Sequence, residues 1–156
     1  MSKINNMYNY DEIVKKIELY CAAQDRCKFD VNQKLIKWGV DNISIKNIIN
    51  NLIKEKFIDE IRYATSFARG KFRIKKWGRI KISNMLRSKN ISENNITTGL
   101  SQIDIEEYTE TLLKIIEKKS KLLKENNPRI KKNKLFQYLK QRGFENNLIW
   151  DNINNN

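Results

Sequence analysis

Apolar residues recur along this chain at spacings of three and four, the spacing of one face of an α-helix, and one arrangement of them occurs three times. In each copy an apolar residue is followed four places on by Leu, four places later by Gly or Asn, and then by another apolar residue. The copies are Val31–Leu35–Gly39–Val40, Ile82–Leu86–Asn90–Ile91 and Leu135–Leu139–Gly143–Phe144. Gly or Asn directly after a periodic run is typical of a left-handed helix C-terminus. The pattern therefore predicts a helix, a capped end and a second helix, repeated about every 50 residues.

Over the whole chain the same periodicity predicts nine helices in three groups of three. Their predicted bounds are 11–24, 30–38, 44–54, 59–72, 78–88, 92–101, 104–125, 128–142 and 145–153. The predicted fold class is all-α, with three tandem three-helix repeats at 1–56, 57–103 and 104–156 forming an elongated array. Such arrays usually act through a long surface and do not enclose a pocket.

Several single residues support these helix ends. Asp59 suits an N-cap, Asp104 has capping-box spacing to Glu107, and Asn127 precedes a proline that suits the first helical position. Since Asn90 occupies the position equivalent to Gly39 and Gly143, we expect asparagine to be tolerated at both glycines far better than valine.

Composition excludes several classes of protein. Apolar residues make up 40% of the 156 residues, and Gly (5) and Pro (1) are too few for a turn-rich β protein. The chain has two cysteines and no histidine, so the usual zinc arrangements are excluded and reduced thiols are expected. The N-terminus does not resemble a signal peptide, and no run approaches the roughly 18 apolar residues of a membrane span. We expect a cytoplasmic protein with no metal or cofactor.

The net charge of +13 indicates a polyanionic partner, and it is concentrated in two blocks. Residues 69–89 hold nine basic and no acidic residues, 90–113 hold five acidic and no basic ones, and 114–142 hold eleven basic and two acidic ones. The residues expected to contact the partner are Arg69, Lys71, Arg73, Lys75, Lys76, Arg79, Lys81, Arg87, Lys131, Lys132 and Lys134. Contacts of this kind add salt-dependent affinity without sequence preference.

The sequence offers no site for catalysis. It lacks a phosphate-binding Gly-x-x-x-x-Gly-Lys run, a metal cluster and a convincing nucleophile–base pair. Asp59, Arg62 and Tyr63 invite a catalytic interpretation, but a cap, an ion pair and a packed ring explain them better. Trp38 and Trp77 lie near predicted helix ends, so a binding role for them stays open beside a packing role.

The junction between the first two predicted repeats carries a run, FIDEIRYATSFAR at 57–69, that resembles the signature of the RecX family, regulators of the bacterial recombinase RecA. The residues that carry the resemblance, and that we expect to be structural, are Phe57, Ile58, Asp59, Arg62, Tyr63, Ala64 and Phe67. The stretches 27–31, 37–40, 71–82 and 142–144 are also similar to that family, so the resemblance covers roughly residues 10–153. Lys56 and Asn90 stand where the family usually has glycine.

The resemblance implies a curved, monomeric, helical protein without enzymatic activity that docks into the groove of a RecA filament on DNA. It would block filament growth and damp ATP hydrolysis, strand exchange and co-protease activity in recombination, DNA repair and the SOS response. Weak, non-specific binding of single- or double-stranded DNA is also implied. A nucleic-acid-binding helical module acting without RecA stays the alternative, although no predicted helix clusters the Asn, Gln and Arg of base readers. The face that meets the filament, direct contact with DNA, and the choice between capping, disassembly and groove blocking stay open.

Overall fold

The computed structural model describes residues 9–155, and this part of the chain contains nine α-helices and no strand, which confirms the all-α prediction. The helices are α1 (Tyr10–Ala23), α2 (Lys28–Lys37), α3 (Asn42–Lys54), α4 (Glu60–Lys75), α5 (Arg79–Ser88), α6 (Glu93–Ser101), α7 (Ile105–Leu122), α8 (Pro128–Gln141) and α9 (Asn146–Asn154). Two bounds differ from the prediction in ways that matter below. Helix α4 continues to Lys75, so Arg73 and Lys75 are helical, and α7 ends at Leu122 instead of near residue 125.

Side-chain caps begin most of these helices. The Asp59 carboxylate accepts a hydrogen bond from the backbone N–H of Arg62 at 3.0 Å, and Asp104 accepts one from that of Glu107 at 2.9 Å. Asn127 caps α8, whose first residue is Pro128, as predicted. Each cap satisfies a backbone donor that has no partner inside its helix, which is why polar residues at these positions start helices.

The three-copy pattern corresponds to three equivalent helix ends. Gly39, Asn90 and Gly143 all have positive φ, at 80°, 61° and 94°. After each of them the next backbone N–H donates to the carbonyl of the copy's second apolar residue, with distances of 3.1, 3.1 and 3.2 Å. The predicted left-handed ends are therefore confirmed, and Lys56 (φ 63°) adopts this conformation too. Lys76 (φ 57°) does so as well, which the sequence pattern did not indicate.

The more extensive helix contacts lie within the consecutive sets α1–α3, α4–α6 and α7–α9, as a helical repeat array requires. Helices α4 and α6 approach closely because Gly99 faces Ala64, and a Cβ on Gly99 would lie 2.8 Å from the Ala64 backbone. The buried side chains form one cluster within α1–α3 and a larger one that runs through α4–α9. Ile58 belongs to the first cluster and Cys27 to the second, so the precise repeat boundaries stay a prediction.

The second and third sets are joined through backbone atoms. The N–H of Gly78 donates to the carbonyl of Arg142 at 2.7 Å, and that of Ile80 donates to the carbonyl of Gly143 at 2.9 Å. A Cβ on Gly78 would lie 2.3 Å from the backbone of Gly143, and one on Gly143 would lie 2.3 Å from the Cβ of Lys81. The expectation that asparagine is mild at both predicted caps is therefore wrong for Gly143, where any side chain collides with α5.

Candidate functional site

The C-terminal half of α4 carries the predicted basic block. Arg69, Arg73 and Lys75 are exposed on this helix, Lys71 is half-buried, and Lys76 follows as the C-cap. Cations at the end of a helix are stabilised by its dipole, so the block suits its position. The αL conformation of Lys76 ends α4 directly before Trp77.

Aromatic rings lie among these cations. The Nζ atoms of Lys71 and Lys81 lie 5.1 Å and 4.5 Å from the Trp77 ring centroid, within cation–π range. Trp77 is half-buried against the larger core cluster. Trp38 is similarly half-buried, with Lys34 Nζ 5.8 Å from its ring. Both rings pack on the core and also present a partly exposed surface, so the two roles considered for them are compatible.

Four of the predicted binding residues have acidic partners. The pairs are Arg73–Glu107 at 3.4 Å, Arg79–Glu145 at 2.8 Å, Arg87–Glu93 at 2.5 Å and Lys134–Glu125 at 3.2 Å. Within residues 9–155 the other seven make no ion pair: Arg69, Lys71, Lys75, Lys76, Lys81, Lys131 and Lys132. Lys76 lines a cavity with residues of α7 and α8, whereas Lys131 and Lys132 line a different groove between those helices.

Arg79 differs from the other basic residues because it lies in a polar centre between α5, α7 and α9. Its guanidinium lies 4.0 Å from the Tyr108 ring centroid and is paired with Glu145. The Tyr108 hydroxyl accepts from the Arg79 backbone N–H at 3.0 Å and donates to the Glu145 carboxylate. Burial, followed by the bond to Glu145, raises the pKa of Tyr108 above its ordinary value. Arg79 thus connects the second and third helix sets.

The family-like run lies at the junction between α4 and the first helix set. Asp59 caps α4, Tyr63 is buried, and Arg62 Nε donates to Asp25 Oδ1 at 2.8 Å. Ser66 Oγ donates to the other oxygen of Asp25 at 2.7 Å. The cap, the packed ring and the ion pair account for these residues without invoking catalysis.

The Asp25 contacts predict a pH dependence of stability. Partial burial alone would raise the pKa of Asp25, but the hydrogen bonds from Ser66 and Arg62 outweigh it and hold this pKa below the ordinary value. A carboxyl group whose pKa is lower in the folded state stabilises the fold at pH values above its unfolded-state pKa. This stabilisation is lost as the pH falls through the folded-state pKa. We expect Asp25→Asn to be less stable than the parent at pH 7, and the gap to narrow below about pH 4. Urea unfolding at pH values from 7 to 3 measures the difference in the free energy of unfolding between the two proteins. A difference that does not change with pH would contradict the ion pair.

A second group of cations lies in the basic segment 114–142 but was not among the residues predicted to contact the partner. Lys114, Lys118 and Lys119 of α7 and Arg142 after α8 line the same cavity as Lys76, whose volume is about 420 Å³. The spacing of Lys114 and Lys118 indicates a shared helix face. Nothing in the sequence indicates that the end of α4 meets that face, because the two segments are held together by backbone hydrogen bonds from Gly78 and Ile80 to Arg142 and Gly143, more than sixty residues away.

Other kinds of site are not found in the described part of the chain. Residues 9–155 contain no group of three or more His, Cys, Asp or Glu residues placed to hold a metal ion. Cys21 and Cys27 are buried free thiols, and burial raises the pKa of each to about 11. None of the helices in this range is long and apolar enough to span a membrane.

Comparisons with known proteins point to one family. Residues 59–100 match the model of the RecX second three-helix domain, and residues 106–151 match that of the RecX third three-helix domain. The chain is 34% identical over 125 residues to the regulatory protein RecX of Clostridium tetani, covering 79% of this chain and 55% of that protein. It is 30% identical over 130 residues to the regulatory protein RecX of Oceanobacillus iheyensis, covering 83% and 48%. The chain thus spans about half the length of the curated relatives it matches.

Solved structures agree with the fold. The crystal structure of RecX from Lactobacillus salivarius superimposes with a TM-score of 0.83 at 25% identity, covering 94% of this chain and 95% of that one. A second crystal structure, of a regulatory protein RecX, superimposes with a TM-score of 0.81 at 24% identity and supports the fold alone.

Proposed function

This chain belongs to the RecX family, and from that premise we propose that it is a regulatory protein that binds the RecA–DNA filament. Bound there, it inhibits filament extension, ATP hydrolysis, and recombinase and co-protease activity. It acts by occupying a surface, without chemistry of its own. The relatives are named regulatory proteins, which agrees with a role of this kind.

The observation that carries the proposal is the cationic surface in the C-terminal half of α4, whose Arg73 is paired with Glu107 at 3.4 Å. Arg69, Lys71, Lys75 and Lys76 make no ion pair within residues 9–155, so their charge is available to a partner. A nucleoprotein filament offers phosphates together with acidic protein side chains, and both attract such a surface. Lys81 and Trp77 extend it with a ring flanked by two cations.

RecA ATP hydrolysis on single-stranded DNA tests the proposal. We expect this protein to inhibit hydrolysis during filament assembly at a small fraction of the RecA concentration, because blocking a growing end needs few molecules. The measurement is the steady-state rate over a protein titration at several salt concentrations. Inhibition that appears only once the protein coats all free DNA would contradict the proposal and favour the nucleic-acid-binding module that acts without RecA.

Charge reversal on α4 should weaken this inhibition. We expect Lys71→Glu with Lys75→Glu to raise the half-inhibitory concentration at least about tenfold, because an interface cation becomes a repelled anion. The control, Lys46→Glu with Lys54→Glu, makes the same charge change at exposed positions of α3. Helical circular dichroism checks that each variant is folded. Equal effects of both pairs would indicate that only net charge matters and would remove the α4 surface from the interface.

A further inference from the structure

The cleft between α7 and α8 is cationic along its length. It measures about 420 Å³ and is lined by five basic side chains from three parts of the chain together with a tyrosine. These residues are Lys76, Lys114, Lys118, Lys119, Tyr138 and Arg142. Among residues 9–155 no carboxylate lines the cleft, although Glu110 pairs with Lys114 at 3.4 Å outside it. A cavity with this lining has a positive potential that attracts an anion into it.

Arg142 holds the two sides of the cleft together, and its guanidinium nitrogens are not free to bind a ligand in a bidentate manner. Its Nη1 donates to the Tyr138 hydroxyl at 3.2 Å, and its Nη2 donates to the carbonyl of Lys75 at 2.9 Å. The second bond fixes the end of α4, with Lys76, against α8. Lys76 and Lys118 make no ion pair within residues 9–155, and Lys119 Nζ lies 4.4 Å from the Tyr138 ring centroid. The charges available to a ligand are therefore lysine ammonium groups.

The remaining wall of the cleft is apolar. Ile115, Leu122 and the ring of Tyr138 line it, and Leu122 is 65% exposed although it is large and apolar. A ligand that contacts this wall and the lysines together must carry an anionic group next to a flat or apolar one. A nucleotide has this composition, with its phosphate beside its sugar and base.

Nucleic acid explains the lining better than an acidic protein segment. Carboxylates are recognised best by the bidentate fork of arginine, and the terminal nitrogens of the single arginine here are already engaged. Lysines act as point charges and suit phosphodiester oxygens without demanding one orientation. An acidic peptide would also leave the apolar wall largely uncovered.

Size and shape favour a single strand over a duplex. A volume of about 420 Å³ lies within the usual range of small-ligand pockets, and one nucleotide can enter it. A base in a duplex is paired and stacked, so it must be extruded before it can enter a pocket, whereas an unpaired base is free to do so.

We propose that the cleft between α7 and α8 binds one unpaired nucleotide of single-stranded DNA, with the phosphate at Lys76, Lys118 and Lys119 and the base or sugar on Ile115, Leu122 and Tyr138. The site rests on the proposed function, since that function supplies the DNA strand. It lies next to the α4 surface and extends it onto α7 and α8.

Direct binding to labelled oligonucleotides, without RecA, tests the site. The double variant Lys118→Gln with Lys119→Gln is compared with the control Lys121→Gln with Lys124→Gln, which removes the same charge from two nearby lysines that do not line this cleft. We expect the first pair to weaken binding of a twelve-residue thymidine oligonucleotide about tenfold, and to reduce the magnitude of its salt slope by at most about 0.7, because the two lysines share one phosphate. The control pair should change the affinity for the oligonucleotide about twofold or less. The first pair should change the affinity for a duplex of equal length about twofold or less. An abasic oligonucleotide should bind the parent protein more weakly and should be less sensitive to the first pair.

Three results would overturn the proposal. Equal losses for single strand and duplex would indicate general electrostatic attraction. Equal binding of abasic and normal strands would remove the base from the cleft. Competition by poly-glutamate as strong as that by the oligonucleotide would indicate an acidic protein segment instead.

The RecA assay separates this site from the proposed function. If the cleft variant loses single-strand binding and still inhibits RecA ATP hydrolysis like the parent, the site holds and regulation does not need it. If the parent binds the oligonucleotide as expected but never inhibits RecA, the site holds and the proposed function fails. If the parent protein inhibits RecA but the cleft variant weakens binding of single strand and duplex equally, the proposed function holds and the site fails.

Discussion

Gly143→Ala is expected to lower the melting temperature by about 4–20 °C. Gly143 has φ 94°, where an L-residue is strained by about 1–2 kcal/mol. Its new Cβ would also lie 2.3 Å from the Cβ and 2.6 Å from the backbone N of Lys81, and relieving such a collision costs about 1–3 kcal/mol. The two terms together lower the free energy of unfolding by about 2–5 kcal/mol. For a chain of this size, each kcal/mol lowers the melting temperature by about 2–4 °C.

Two other glycines provide matched controls. Gly39→Ala introduces the same kind of backbone strain at φ 80° on an exposed residue, so its effect should be clearly smaller. Gly70 lies inside α4, and beyond the helix's own backbone no atom of the described residues lies within 4 Å of the new Cβ, so Gly70→Ala should stabilise the helix by about 0.5–1 kcal/mol. Circular dichroism melts of the three variants and the parent measure this order. If Gly143→Ala had the same melting temperature as the parent, the close approach of Gly143 to α5 would not exist in solution.

The expected damage at Gly143 is also local at first. Each repeat contacts mainly its neighbours, so loss of the backbone hydrogen bonds from Gly78 to Arg142 and from Ile80 to Gly143 should loosen α5 and α9 before it reaches the first helix set. Hydrogen exchange should therefore rise in those helices while α2 and α3 keep the protection of the parent.

The features that were predictable from the sequence are those whose cause is local. Gly39, Asn90 and Gly143 follow a periodic run directly, and such residues adopt positive φ at little cost. Asp59, Asp104 and Asn127 cap the helices that begin one residue later. Lys76 adopts the same left-handed conformation without any signal in its residue type, and the N–H of Trp77 after it donates to the carbonyl of Lys71 at 3.2 Å.

The candidate site was only partly predictable, because the sequence shows which residues are charged but does not show which of them form ion pairs in the fold. The basic block was visible as a run of 21 residues without an acid. The partner of Arg79 lies 66 residues away at Glu145, so the sequence could not show that this cation is committed to the fold. The same applies to Lys118, which meets Lys76 only because two distant segments pack together through Gly78 and Gly143.

Arg79→Gln and Arg69→Gln should give opposite results, which decides whether Arg79 belongs to the binding surface. Arg79→Gln removes the ion pair with Glu145 and the cation over the Tyr108 ring. It leaves a half-buried carboxylate bonded to one hydroxyl, so we expect a loss of about 1–3 kcal/mol in the free energy of unfolding. Arg69 is exposed on α4 without an ion pair inside residues 9–155, so its loss should change stability by about 0.5 kcal/mol or less.

Binding should follow the reverse order. Arg69→Gln should weaken oligonucleotide and filament binding severalfold, while Arg79→Gln, measured well below its melting temperature, should bind nearly like the parent. Urea unfolding of Arg79→Gln, Glu145→Gln and the double variant closes the test, because partners in one ion pair lose less together than the sum of their separate losses. Additive losses, or weakened binding by Arg79→Gln with unchanged stability, would return Arg79 to the binding surface and would mean that Tyr108 and Glu145 do not hold its side chain in place.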